Sequence, residues 1–144
     1  MNRAQISCLL VALFALTLTS TALARSSFRV QSATYSQRTG NVTFNLAISH
    51  HGPPRSVSFY LHYQAPNHSS ASVKTGKLIG SAYAQGSQPV SFEVPSSRCG
   101  LGLNSRFCIA AIFDIGGMLH FYGTTNGGDG GGTAGTSGFV TAAP

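Results

Sequence analysis

Acidic side chains are almost missing from this chain, with three Asp and Glu against nine Lys and Arg in 144 residues. Catalysis by paired carboxylates needs two acids side by side. The three present, Glu93, Asp114 and Asp129, are expected on an exposed strand face, at the end of a buried strand and in a glycine-rich segment, so they form no pair. Tryptophan is absent, which removes the strongest platform for stacking a sugar ring. No Cys-x-x-Cys and no Gly-x-Ser-x-Gly occurs, so neither a thiol redox centre nor a nucleophile elbow is written here. Beyond the first two dozen residues no apolar run approaches the roughly 20 residues that a membrane-spanning helix needs.

What is present begins with a leader. Met1 to Gln5 carries Arg3, an apolar stretch runs from Ile6 to Leu18, and Ala22-Leu23-Ala24 closes the segment. That order is the order of a secretory signal, and it predicts cleavage before Arg25 and a secreted or periplasmic product. Residues 1–24 are thus read as signal peptide, 25–125 as one domain, and 126–144 as a flexible tail, since Gly127, Gly128, Gly130, Gly131, Gly132, Gly135 and Gly138 leave little apolar surface to offset ordering. Cys8 leaves with the leader. Cys99 and Cys108 remain, and in an oxidising compartment the pair predicts a disulfide that staples the domain, worth about 3 kcal/mol in the chain-entropy account.

The domain reads as all-β. Asn41–Ser49 alternates Val42, Phe44, Leu46 and Ile48 with polar neighbours, and Ser56–Gln64 alternates Val57, Phe59, Leu61 and Tyr63 with Ser58, Tyr60, His62 and Gln64. His51-Gly52-Pro53-Pro54 reads as the turn between them. Pro89–Val94 is a third alternation. Phe107–Asp114 has no polar face and is expected to be central. Phe28–Tyr35, Leu78–Tyr83 and Met118–Thr124 bring the expectation to seven strands, and no amphipathic helical period appears after the leader.

The run Asn41-Val42-Thr43-Phe44-Asn45-Leu46-Ala47-Ile48, followed by His51-Gly52, Ser58-Phe59-Tyr60-Leu61, Gly80, Gly86-Ser87, Val90-Ser91-Phe92 and Ile109-Ala110-Ala111-Ile112-Phe113-Asp114, resembles the cell-adhesion-related domain found in bacteria. The resemblance implies an immunoglobulin-like, seven-stranded antiparallel sandwich in an exported, adhesion-type binding module, and it brings no catalytic residues with it.

Arg25, Arg29, Arg38, Arg55, Lys74, Lys77, Arg98 and Arg106 give the processed chain a net charge of about +5, which favours an anionic surface, a polysaccharide or a protein partner. Because the basic residues are scattered singly, nucleic acid is disfavoured. The candidate binding surface comprises the rings Tyr60 and Tyr122, His62, and the basic pair Lys74 and Lys77. Among five histidines, His62 and His120 form the alternative metal pair if adjacent strands bring them together, as neutral imidazoles suit zinc or copper. No cofactor, no catalytic residue and no metal site is otherwise expected, which places a small hydrolase or metal-binding protein, and a structural assembly subunit, as competing classes. The sequons at Asn41 and Asn67 matter only in a glycosylating host.

Overall fold

The computed structural model describes residues 26–67, 69–115, 118–122 and 136–144; the expected leader, residues 1–24, and residues 123–135 lie outside the described residues. The strands are β1 (Ser26–Ser36), β2 (Asn41–His62), β3 (Lys77–Pro95), β4 (Arg106–Ile115), β5 (Met118–Tyr122) and β6 (Thr136–Ala142). Two short helices interrupt them, α1 (Ser70–Lys74) and α2 (Ser96–Cys99).

Alternation decides which way each strand faces. On β2, Val42, Phe44, Leu46 and Ile48 are buried at even positions, and Val57, Phe59 and Leu61 at odd positions. The switch of parity falls at a register shift: β2 advances from His50 to Arg55 while its antiparallel partner β3 retreats only from Gly86 to Ala84. The extra residues bulge out, and the bulge turns both halves of β2 toward one core. The seven expected strands are therefore corrected to six among the described residues. Asn41–Ser49 and Ser56–Gln64 are halves of one bent strand, Leu78–Tyr83 and Pro89–Val94 are halves of another, and β6 is new.

The six strands run in the order β3-β2-β1-β6-β4-β5, with a further pairing between β2 and β4. The first half of β2 lies between β1 and β3, and the second half between β3 and β4. The sheet accordingly folds over on itself. Phe28 of β1 meets Phe59 of the second half of β2 edge-on at 5.6 Å, and Phe44 of the first half meets Phe107 of β4 at 5.5 Å. Neither pair is made of sheet neighbours, so the contacts are between facing layers, the edge-to-face geometry aromatic pairs prefer. β6 closes the seam, running parallel to β1 at Ala33–Tyr35 and antiparallel to β4 at Arg106–Ile109.

For residues 136–142 β6 corrects the expectation of a flexible tail, because they are a paired strand with Val140 fully buried; residues 126–135 of that expected tail lie outside the described residues. Helices were not expected after the leader, yet α1 forms where Ser69 caps its start by accepting from the Ser72 amide at 3.1 Å. A second correction concerns sulfur. Cys99 and Cys108 are both buried and both unpaired. Cys99, at the end of α2, packs in the main core with Leu101, Phe107 and Ile109. On β4, Cys108 has the opposite parity from Phe107 and Ile109 and shares the face of Ala110 and Ile112, outside that core. The two sulfurs thus lie on opposite sides of β4. Burial pushes the Cys108 thiol up to about 11, so it stays protonated and poorly nucleophilic at neutral pH. Thiol titration is expected to find both groups unreactive in the native protein and both free after denaturation; a disulfide found by mass spectrometry would overturn this placement.

Candidate functional site

Two surfaces carry polar chemistry. The first contains most of the residues singled out from the sequence. Tyr60 lies opposite Ala110 and packs on Val73, Ala110 and Ile112, the small cluster beneath α1. His62 donates from Nε2 to the Val73 carbonyl at 2.8 Å. The turn after α1 presses on this ring, since a Cβ on Gly76 would fall 2.4 Å from His62 Nε2 and 2.6 Å from the Leu61 carbonyl oxygen. Tyr60 and His62 are both half-buried and hold α1 against β4. Lys74 and Lys77 are exposed at the same corner, the first ending α1 and the second pairing with Leu61. Tyr122 stands apart, opposite Ala111 on the far edge of β4.

The metal pair is not assembled. His62 is opposite Cys108 while His120 is opposite Phe113, positions of opposite parity on β4, which also separates their strands. At a rise of about 3.3 Å per residue they lie roughly 16 Å apart along the strand direction alone. Among the described residues no group of three or more His, Cys, Asp or Glu could hold an ion.

Burial lowers the His62 pKa from its ordinary 6.5, outweighing the Val73 carbonyl, which acts the other way. A lowered pKa means that the unfolded chain binds the proton first as pH falls. The stability contributed by neutral His62 is therefore complete above pH 6.5 and is lost progressively below it, levelling off under the folded-state pKa. Urea titrations between pH 7.5 and 5 are expected to show a shallower decline for His62→Gln, which keeps an N–H for Val73, than for the native chain.

A further histidine, His50, is buried next to the bulge of β2. His50 accepts the Ser26 hydroxyl at Nδ1, 2.6 Å away, and donates from Nε2 to the Pro53 carbonyl at 2.7 Å. The carbonyl can only accept, so Nε2 carries the hydrogen of this contact. The ring stacks on Phe113 at 5.8 Å. Hydroxyl, base and orienting carbonyl are in a nucleophile-like order, but Ser26 and His50 are each 1% exposed, and the chain fastens the start of β1 to the bulge of β2. The signal was legible: His50 continues the buried even series of Val42 to Ile48.

The second surface is the outer face of β1, the first half of β2 and the second half of β3. Strand register arranges it in rows: Ser27, Ser49 and Ser87; Arg29, Ala47 and Pro89; Ser32, Asn45 and Ser91; Thr34, Thr43 and Glu93. Every one of these is half-buried or exposed. The Asn45 row is internally bonded, Asn45 donating to Ser32 Oγ at 2.9 Å and accepting from Ser91 Oγ at 2.9 Å. Glu93 accepts from Asn41 Nδ2 at 2.7 Å. The serine row is looser, with Ser87 and Ser49 at 3.5 Å and Ser49 and His51 at 3.4 Å. Here the face dips into a cleft of about 310 Å³ lined by Ser27, Arg29, Ala47, Ser49, Ser87 and the chain at Phe28 and Ile48. The exposed rings Tyr63, Tyr83 and Phe139 belong to none of these rows. Sequence reasoning did not single out this face, although its members are the polar half of the same alternation that revealed the core.

No family model matches this chain, and no curated protein matches it. Among solved structures it is similar to the ligand-binding region of serine-glutamate repeat protein A of Enterococcus faecium, with 15% identity, 67% of this chain and 86% of that one covered, and a TM-score of 0.36. No helix among the described residues is long and apolar enough to cross a membrane.

Proposed function

We propose that this chain is an exported, non-catalytic binding module that engages an anionic surface, polysaccharide or protein partner. The observation that carries the reading is electrostatic. Arg29, Arg38, Lys74, Lys77, Arg98 and Arg106 are exposed, and among the described residues none of them is paired with a carboxylate. Cations without a carboxylate partner leave their field available to an outside anion. The two facing layers are taken as an immunoglobulin-like arrangement in which β2 and β3 run through both. Retention of the purified protein on heparin or an acidic glycan column, falling as salt rises, is the expected result; passage through both at low salt would sink the reading.

A second reading has its own observation. β3 is 19 residues long and among the described residues pairs only with β2, while Leu78 and Tyr83 are exposed on it. An unprotected edge of that length can add a strand from another copy, so the structural-subunit reading predicts a mass that grows with concentration in light scattering. A monomer at every concentration removes it.

A further inference from the structure

We infer that the cleft over Ser27, Arg29, Ser49 and Ser87 is a subsite for the carboxylate and neighbouring hydroxyls of an acidic sugar. This rests on the binding-module reading and narrows it to one place and one ligand class. Three facts point the same way. Arg29 lines the cleft and its guanidinium has no carboxylate or other polar side-chain partner among the described residues, and the lining contains no acid. Its serines keep spare bonding capacity: Ser27 makes no side-chain hydrogen bond among the described residues, and the contacts of Ser49 and Ser87 are long. The adjoining Asn45 row, by contrast, is bonded across all three strands at 2.9 Å on either side of Asn45, so it stiffens the floor of the cleft.

The chemistry selects the occupant. A fixed fork of N–H donors matches a carboxylate, and hydroxyls that both donate and accept match the alcohol groups beside it. The volume lies at the small end of ligand pockets, suited to one or two rings of an extended polymer. A nucleic acid would need aromatic faces for its bases, and these rows have none. An anionic membrane would be held by apolar side chains inserted beside the charge, and the exposed side chains of this face are hydroxyl, amide, Ala and Pro with Arg29 and Glu93.

The test uses trigalacturonate, its neutral galactose counterpart, inorganic phosphate and phosphatidylglycerol vesicles against the whole processed protein. Trigalacturonate is expected to shift the amide signals of Ser27, Arg29, Ser49 and Ser87 while the neutral trimer does not, and Arg29→Gln is expected to weaken it by about tenfold with an unchanged melting temperature. Ser49→Val, a second variant that keeps the charge, is expected to weaken it by a smaller factor. If trigalacturonate shifts residues near Lys74 and Lys77 instead, and Arg29→Gln binds normally, the subsite is overturned while the binding-module reading stands. Phosphate binding the cleft as tightly as the trimer would overturn the sugar assignment, as would vesicles that compete for it equally well. Absence of any binding by trigalacturonate, together with no retention on acidic columns, would overturn both.

Discussion

Val140→Asp is expected to cost about 3–5 kcal/mol, enough to unfold much of a small domain's population. Val140 is fully buried, its amide bonds the Ser105 carbonyl and its carbonyl takes the Asn104 amide, and its neighbour on β1 is Ala33. A carboxylate at this point has no cation within the core to pair with, and protonating it leaves an unsatisfied acid in the same place. A shift of the urea midpoint measures the effect. The substitution is also discriminating, because a change in a flexible glycine-rich tail would leave the midpoint where it was. Thr141→Asp, next along β6 at an exposed position, is the matched control and is expected to cost far less.

Phe59→Ala carries the other large effect, again about 3–5 kcal/mol. This ring is fully buried and touches Phe28 across the layers and Phe92 on β3 at 5.5 Å. Its removal empties the point where the folded-over halves of the sheet meet, and neighbouring rings on rigid strands cannot collapse into the space. Tyr83→Ala, on an exposed ring of β3, should stay within about 0.5 kcal/mol of the native chain. Equal losses for the two variants in denaturant titrations would contradict the layered packing.

Much of this architecture is legible in the residue order, and the parts that are not have physical causes. Alternation located both halves of β2 and the second half of β3, because a period of two depends only on which side each residue faces, and the unbroken apolar run of β4 gave its two-faced burial. Continuity was not legible. His51-Gly52-Pro53-Pro54 has the composition of a reversing turn, but β3 follows β2 on both sides of it, so the chain bulges and carries on. β6 was hidden by glycine content. Gly138 sits where a Cβ would come within 2.9 Å of the Phe107 ring, so close packing in the strand uses the same residue that marks a linker in sequence. α1 and α2, with five and four residues, are too short to show a helical period. The disulfide followed from compartment and even count, two arguments blind to geometry; the parity of Cys108 against Phe107 was the sequence feature that spoke against it.

The same limits apply to the candidate site. Tyr60, His62, Lys74 and Lys77 fall at one corner because three belong to adjoining strands and the fourth to the helix laid over them, while Tyr122 lies elsewhere. His62 and His120 could not be placed without knowing the stagger of β5 on β4. The serine row and Arg29 required knowing that β1, β2 and β3 are neighbours in that order, since each serine alone is an ordinary outward residue of its strand.

Closure of the seam is tested most directly by through-space proton contacts in the nuclear magnetic resonance spectrum of the purified protein. Cross-peaks between the Phe44 and Phe107 rings and between Ala33 and Val140 are expected, with slowly exchanging amides over residues 138–142. Sharp, random-coil signals from those residues, and no contact between Phe44 and Phe107, would contradict a sheet folded over on itself and fastened by its last strand.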